Sequence, residues 1–251
     1  MNGILRFVSL YAIAIGLSAL GSLGGVLVAS LFLFVSDRLR PRLVPWLISY
    51  AVGTLLGAAL LGLLPEALET LAPPAVFGTL LAGILTFFVL EKLVLWRHCH
   101  DEHECEIHRS TASLIVIGDA FHTFVDGVVI ATAVMVSPPL GLTTALAVAA
   151  HEIPQEVGDV AILLGAGLTR WRALGLNVLS ALAGIVGAAG MLLFARALPA
   201  LLPYVLAFAA GNFLYVAMAD LIPSLHRGGL DASAVRQVVL MSAGIGTILL
   251  L

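Results

Sequence analysis

The sequence predicts an all-α membrane protein with eight transmembrane helices. Of its 251 residues, 61% are hydrophobic and only 11% are charged, whereas an ordinary soluble domain is about 45–50% apolar and about 25% charged. A chain with so little polar surface cannot face water on all sides, so lipid must be its solvent. Backbone groups in lipid must find hydrogen-bond partners within the chain, which favours helices, and the alternating segments of a β-barrel are absent.

Apolar runs bounded by polar or proline-containing breaks define the predicted spans, since crossing the hydrocarbon core takes about 20 residues. The eight spans are residues 7–35, 44–64, 75–96, 111–136, 141–168, 173–195, 203–224 and 234–251. The whole chain, 1–251, is interpreted as a single transmembrane domain.

Basic residues predict the orientation of the spans. With eight crossings, Arg6 and Arg196 fall on one side, and the rest of the 12 Lys and Arg residues fall on the other. Cytoplasmic loops carry an excess of Lys and Arg. The pattern therefore predicts that both termini are extracytoplasmic. The expected location is the plasma (inner) membrane.

Two pairs of similar segments indicate an internal repeat. Residues Ala51–Pro65 of span two align without gaps with Ala209–Pro223 of span seven, and AGILT at 82–86 of span three is similar to AGIGT at 243–247 of span eight. Chance similarity among Ala, Gly and Leu is the alternative. Spans two and seven cross in opposite directions, so spans one to three would be an inverted copy of spans six to eight, in a 3+2+3 arrangement typical of transporters.

Ionisable residues concentrate on spans four and five. They are Asp119, His122, Asp126, His151, Glu152, Glu156 and Asp159, and the amide Gln155 lies among them on span five. A charge at the bilayer centre costs about 2.5–3.5 kcal/mol on insertion scales, and no Lys or Arg lies in either span to pair with these acids. Protons or bound cations must neutralise them. Imidazoles among carboxylates suit a borderline metal such as Zn²⁺, although a single membrane histidine is more often only hydrogen-bonded.

The segment between spans three and four, residues 97–110, is predicted to be a cytoplasmic His/Cys-rich loop. Its candidate metal ligands are His98, Cys99, His100, His103, Cys105 and His108. Cys/His-rich tracts often bind metal, and the alternative is a solvated polar loop with incidental histidines.

Three motifs resemble those of the ZIP (ZRT/IRT-like protein) family of metal transporters. HTFVDG at 122–127 is similar to that family's HNxxDG, HEIPQEVGD at 151–159 is similar to HExPHExGD, and NVLSAL at 177–182 is similar to NFLSAL. The resemblance implies eight helices in the 3+2+3 arrangement, a homodimer, and a binuclear metal site between spans four and five.

By motif position, the resemblance implies one site of His122, Asp126, His151 and Gln155. A second site would share Asp126 and Gln155 and add Thr123, Glu152 and Asn177. Thr123 and Gln155 depart from the family's usual Asn and His or Glu, which weakens the second site, and Glu156 could compensate.

The expected function is transport of divalent transition metal ions, most of all Zn²⁺ uptake into the cytoplasm. The protein is expected not to be an enzyme and to need no catalytic cofactor, with metal ions and the lipid bilayer as partners and no nucleic acid. A transporter of broad specificity for Cd²⁺, Mn²⁺ or Fe²⁺ is one alternative, and export or a passive channel also remains open. An intramembrane metalloprotease is another, because HEIPQE is similar to HExxH, but Gln155 replaces the second zinc-binding histidine.

Overall fold

The computed structural model describes residues 2–32, 39–96, 107–195, 197–225 and 232–251. Within these ranges the long elements are all helical and no strand is present. We number eight of them in chain order: α1 (Asn2–Phe32), α2 (Arg40–Gly57, Ala58–Leu63 and Leu64–Thr70), α3 (Pro73–Trp96), α4 (Ile107–Val136), α5 (Pro138–Gly165), α6 (Arg170–Ala195), α7 (Pro199–Leu201, Leu202–Tyr215, Val216–Leu221 and Ile222–Leu225) and α8 (Ala232–Leu250).

In the described part of the chain, seven helices are long and apolar enough to cross a membrane. The protein is therefore an all-α membrane protein. The remaining long helix, α5, has 28 residues, which corresponds to about 42 Å at 1.5 Å per residue. It is long enough to span the bilayer, and it carries three carboxylates, Glu152, Glu156 and Asp159.

The ends of α5 differ from the predicted span by three residues on each side, 138–165 instead of 141–168. At the start, the Ser137 hydroxyl accepts a hydrogen bond from the Leu140 backbone N–H at 3.4 Å, and Pro138 occupies the first helical position. Both features are typical of helix starts. At the end, Gly167 adopts a positive φ of 84°, a conformation that terminates helices.

Helices α2 and α7 each contain a π-helical turn of six residues, Ala58–Leu63 and Val216–Leu221. Each turn comes just before a proline, Pro65 or Pro223. Proline has no N–H to donate, and its ring pushes away the carbonyl four residues earlier, a strain that a π-bulge can absorb. The two π-helical turns occupy matching positions in the two similar sequence segments.

The helices pack in two groups of four. One group consists of α1, α4, α5 and α6, and the other of α2, α3, α7 and α8. Helix α2 packs against α8 at two glycines. A Cβ atom added at Gly53 would overlap the Met241 carbonyl oxygen, and one added at Gly244 would overlap the Tyr50 carbonyl oxygen. Only glycine permits such close approach of two helix backbones.

Helix α3 packs against α7 in the corresponding way. A Cβ atom at Gly211 would overlap the Leu80 carbonyl oxygen, and one at Gly83 would overlap the Phe208 carbonyl oxygen. Gly211 and Phe208 align with Gly53 and Tyr50 in the similar segments of α7 and α2. The α2–α8 and α3–α7 contacts are therefore equivalent, residue by residue.

Candidate metal centre

The candidate site lies between α4 and α5, which run antiparallel and are joined by Ser137 alone. His122 and Asp126 are one turn apart on α4, while His151 and Glu152 are adjacent on α5. Relative exposures of 8%, 1%, 0% and 0%, in that order, show that all four side chains are buried. We call these four residues the histidine–carboxylate cluster.

The donor atoms of this cluster are close together. The two imidazole Nε2 atoms are 3.1 Å apart, and Asp126 Oδ2 lies 3.3 Å from His151 Nε2 and 3.6 Å from His122 Nε2. Glu152 Oε1 lies 3.8 Å and 3.9 Å from the same two nitrogens. Tetrahedral Zn²⁺ with ligands at 2.0–2.1 Å places neighbouring ligand atoms about 3.3–3.4 Å apart. The cluster thus has nearly the spacing that a tetrahedral ion requires.

The His151 ring is oriented by a backbone contact. Its Nδ1 lies 3.0 Å from the Ala147 carbonyl oxygen, so Nδ1–H donates to that carbonyl and Nε2 is left free toward the cluster. Metal-binding histidines commonly have this arrangement, in which the second ring nitrogen is held by an oxygen acceptor.

Aromatic rings from the other helix group cover the two imidazoles. Phe87 of α3 packs edge-on against His122 with ring centroids 5.8 Å apart, and Phe213 of α7 packs against His151 at 6.0 Å. These rings limit the access of water and lower the local dielectric, which strengthens any interaction between a cation and the carboxylates.

The carboxylates of Asp126 and Glu152 lack hydrogen-bond partners in the part of the chain that the structure describes. Among the described residues, neither oxygen of Asp126 nor either oxygen of Glu152 has one, and the sequence contains no Lys or Arg between Arg109 and Arg170. Buried polar groups are normally paired, because leaving them unpaired is costly. A bound cation would supply the missing partner.

A second group of donors adjoins the first. Asp119, Glu152 and Glu156 each offer a carboxylate oxygen, and these atoms all lie within 4.8 Å of one another. All three side chains are buried. We call them the carboxylate cluster, and it shares Glu152 with the histidine–carboxylate cluster.

The histidine–carboxylate cluster does not include three of the predicted ligands, which are Asn177, Thr123 and Gln155. Asn177 does not point its oxygen at Glu156 but donates from Nδ2 to Glu156 Oε2 at 2.5 Å. Thr123 is buried, and its hydroxyl has no partner among the described residues. Gln155 is half-buried on α5. Metal ligation by any of these residues stays a prediction.

Asp119 is not among the ligands predicted from the sequence. It lies one turn before His122 and shares the polar stripe of Asp126 on α4, and this was the available signal. The motif that resembles the family's begins at His122 and does not include Asp119.

Most of the predicted His/Cys-rich loop lies outside the described residues, and with it His98, Cys99, His100, His103 and Cys105. Helix α4 already begins at Ile107, so the boundary predicted for the loop, 97–110, is wrong at its end. His108 belongs to the first turn of this helix.

Glycines set the distance of the neighbouring helices from the site. A Cβ atom at Gly127, next to Asp126, would overlap the Gly184 carbonyl oxygen of α6. A Cβ atom at Gly25 of α1 would lie 2.9 Å from the Glu152 Cβ. Helices α1 and α6 therefore pack directly against the backbone that carries the donor side chains.

An all-helical membrane protein with these buried groups belongs, by its architecture, to the integral membrane proteins, and its core contains imidazole and carboxylate groups that are placed to hold a metal ion. The family model described as "ZIP Zinc transporter" matches residues 96–251. The chain belongs to the ZIP zinc transporter family.

Individual relatives agree with this assignment. Zinc transporter ZIP13 of Pongo abelii is 35% identical over 79% of this chain and 64% of the relative, and ZIP13 of Homo sapiens is 32% identical over 79% and 68%. Zinc transporter ZIP4 of Mus musculus is 45% identical over a shorter stretch, 45% of this chain and 17% of the relative. The chain spans about two thirds of the length of the ZIP13 relatives.

Proposed function

We propose that this protein carries divalent transition metal ions, foremost Zn²⁺, across a membrane into the cytoplasm, with the histidine–carboxylate cluster as the transport site. The observation that carries the proposal is the convergence of two imidazole nitrogens and two carboxylates, which lack hydrogen-bond partners among the described residues, at 3.1–3.9 Å in a buried site. The helices that carry these groups have no Lys or Arg between Arg109 and Arg170. The names of the ZIP13 and ZIP4 relatives support zinc as the cargo.

The proposed membrane arrangement has α5 as an eighth span, with spans one to three and six to eight related as an inverted 3+2+3 repeat. Three features support the repeat: the aligned segments of α2 and α7, their matching π-helical turns, and the equivalent glycine contacts of α2 with α8 and of α3 with α7. The distribution of Lys and Arg supports extracytoplasmic termini. Assembly as a homodimer is implied by the family resemblance, and the plasma membrane is the proposed location.

Zinc is favoured over the other candidate cargoes by the donor set. Two imidazole nitrogens and two carboxylate oxygens are a set typical of Zn²⁺ sites. Cd²⁺, Mn²⁺ and Fe²⁺ accept the same types of donor with different preferences, so a broader cargo range is the alternative within the same mechanism.

Uptake by the purified full chain in liposomes tests the proposal. Zn²⁺, Cd²⁺, Mn²⁺ and Fe²⁺ are supplied separately, and we expect saturable uptake that is fastest for Zn²⁺. The variants His122→Ala and Asp126→Asn should lose uptake. Thr132→Val serves as a control on the same helix, since the Thr132 hydroxyl donates to the Val128 carbonyl within that helix, and it should transport normally.

Normal transport by both His122→Ala and Asp126→Asn would rule out this cluster as the transport site. Non-saturable uptake without discrimination among the metals would indicate a passive channel. Metal-dependent cleavage of a peptide without any uptake would indicate a protease.

A further inference from the structure

The carboxylate cluster differs in chemistry from the histidine–carboxylate cluster beside it. We propose that Asp119, Glu152 and Glu156 form a second cation site that contains only oxygen donors and takes hard divalent cations such as Mn²⁺. This inference rests on the proposed transport function. It differs from the second site that the family resemblance implies, because Asp119 and Glu156 replace Asp126, Gln155, Thr123 and Asn177.

The site follows from the antiparallel pairing of α4 and α5. Asp119 lies three residues before His122 on α4, and Glu156 lies four residues after Glu152 on α5. In antiparallel helices these two shifts lead in the same direction, so Asp119 and Glu156 lie about one helical turn, or roughly 5.4 Å, beyond the first cluster. That direction is toward the predicted cytoplasmic side.

Four of the six oxygens of these carboxylates lack a hydrogen-bond partner among the described residues. Relative exposure is 6% for Asp119 and 0% for both glutamates. Asp119 Oδ1, Glu156 Oε1 and both oxygens of Glu152 have no hydrogen-bond partner among the described residues. Three like-charged groups within 4.8 Å repel one another strongly in a medium of low dielectric. A divalent cation bound between the three carboxylates would offset this repulsion and be coordinated by their oxygens.

Glu156 is held by a neighbouring helix. Asn177 of α6 donates from Nδ2 to Glu156 Oε2 at 2.5 Å, and this occupies one carboxylate oxygen while Oε1 stays free. An amide that points its N–H at the carboxylate cannot point its own oxygen at the same spot. Asn177 therefore orients a donor in this arrangement.

The donor types give the two sites different metal preferences. The first cluster has two imidazole nitrogens, which suit Zn²⁺, whereas the second has carboxylate oxygens alone, which suit Mn²⁺ and Mg²⁺. An ion that leaves the first cluster keeps Glu152 as a shared ligand and gives up nitrogen donors. The second site therefore binds Zn²⁺ more weakly than the first and can pass it onward.

Metal stoichiometry tests the proposal independently of transport. The purified full chain in detergent is dialysed to equilibrium against Zn²⁺ alone and then against Zn²⁺ with excess Mn²⁺, and both metals are counted by mass spectrometry. Bound Mn²⁺ is also followed by electron paramagnetic resonance. We expect the wild-type chain to hold Zn²⁺ tightly and to take up Mn²⁺ in addition.

Two isosteric variants remove the second site. Asp119→Asn and Glu156→Gln should each weaken Mn²⁺ binding at least tenfold and retain tight Zn²⁺ binding, which also shows that they are folded. His122→Ala should do the reverse. Glu69→Gln removes an exposed carboxylate of α2 that belongs to neither cluster, and it should keep both metals.

The possible results decide between the two proposals. Unchanged Mn²⁺ affinity in both Asp119→Asn and Glu156→Gln overturns the second site, as does a wild-type chain that binds Zn²⁺ but never Mn²⁺ with it. Equal loss of Zn²⁺ and Mn²⁺ in both variants means that the carboxylates serve one site only, and this also overturns the inference. A wild-type chain that binds neither metal contradicts the proposed function itself.

Discussion

Replacing Gly25 by alanine should weaken metal binding at the histidine–carboxylate cluster, although Gly25 contributes no donor atom. Gly25 lies on α1 at its contact with α5, where an added Cβ atom would lie 2.9 Å from the Glu152 Cβ. The Glu152 backbone is the next nearest group, with its carbonyl carbon at 3.6 Å. A rotamer change of Glu152 cannot relieve a clash at its own Cβ, so the backbone of α5 has to move.

The size of this movement follows from ordinary packing distances. Carbon atoms in contact are about 3.5–4.0 Å apart, so the Glu152 Cβ must retreat by about 0.6 Å or more. Metal–ligand distances tolerate only about 0.2 Å. Changes in groups that orient metal ligands cost about 10–100-fold in affinity, equivalent to about 1.4–2.7 kcal/mol. We expect a loss of Zn²⁺ affinity in this range.

The neighbouring residue provides a matched control. A Cβ atom at Gly24 would have no atom outside its own helix within 4 Å. Gly24→Ala makes the same chemical change, one residue away on the same helix. Competition between the purified protein and a zinc chelator measures the affinity of both variants, and thermal unfolding in detergent shows whether either has lost its fold.

Zn²⁺ binding by Gly25→Ala that is as tight as in the wild-type chain would show that the contact with Glu152 does not position the ligand. An equal loss of affinity in Gly24→Ala would show that the effect comes from helix α1 in general and not from this contact.

Three further predictions concern packing, protons and the donor set. Gly244→Ala should lower the free energy of unfolding by about 1–3 kcal/mol through overpacking against the α2 backbone, whereas Gly246→Ala should not, because a Cβ atom there meets nothing within 4 Å. Equal melting temperatures of the two variants would contradict the close α2–α8 contact. Zn²⁺ binding should be at least about tenfold weaker at about pH 5 than at about pH 7.5, because protons compete with the metal for the imidazoles and carboxylates. Calorimetric titration at both pH values measures the affinity, and an affinity that does not change would contradict His122 and His151 as ligands. Gln155→His should tighten Zn²⁺ binding, by roughly tenfold, since imidazole is a better ligand than a neutral amide; a dissociation constant that does not change would show that residue 155 lies away from the ion.

The helices could be predicted well from the sequence because the cost of placing polar groups in lipid dominates local preferences. The fifth helix shows where this approach is limited. Hydropathy placed its start at residue 141, whereas the Ser137 cap and Pro138 begin it earlier. The sequence contains this helix cap, but the bounds of an apolar run do not reveal it. The π-helical turns before Pro65 and Pro223 depend on how each proline is accommodated by neighbouring helices, and hydropathy carries no information about that.

The donor set was harder to predict than the helices. At 100° per residue, Gln155 lies within about 40° of His151 on α5, and Glu152 lies about 100° away. Helical periodicity and the family motif therefore both favour Gln155 as the partner of His151. In the structure Glu152 Oε1 nonetheless lies within 3.9 Å of both imidazoles. The position of α4 relative to α5 decides which side chains meet, and that position depends on close contacts such as Gly25 with Glu152 and Gly127 with Gly184, which involve distant parts of the chain.

The two helix groups contribute different parts of the candidate site, and this bears on how an ion would cross the membrane. The acidic and imidazole donors of both clusters lie on α4 and α5, and Asn177 on α6 belongs to the same group. Phe87 and Phe213, which pack against the two imidazoles, belong to the other group. A displacement of one group relative to the other would therefore change the walls around the ion and leave its ligands together. Transporters built from inverted repeats alternate access in this way, so the placement of donors in one group and walls in the other fits the proposed inverted repeat and the proposed transport function.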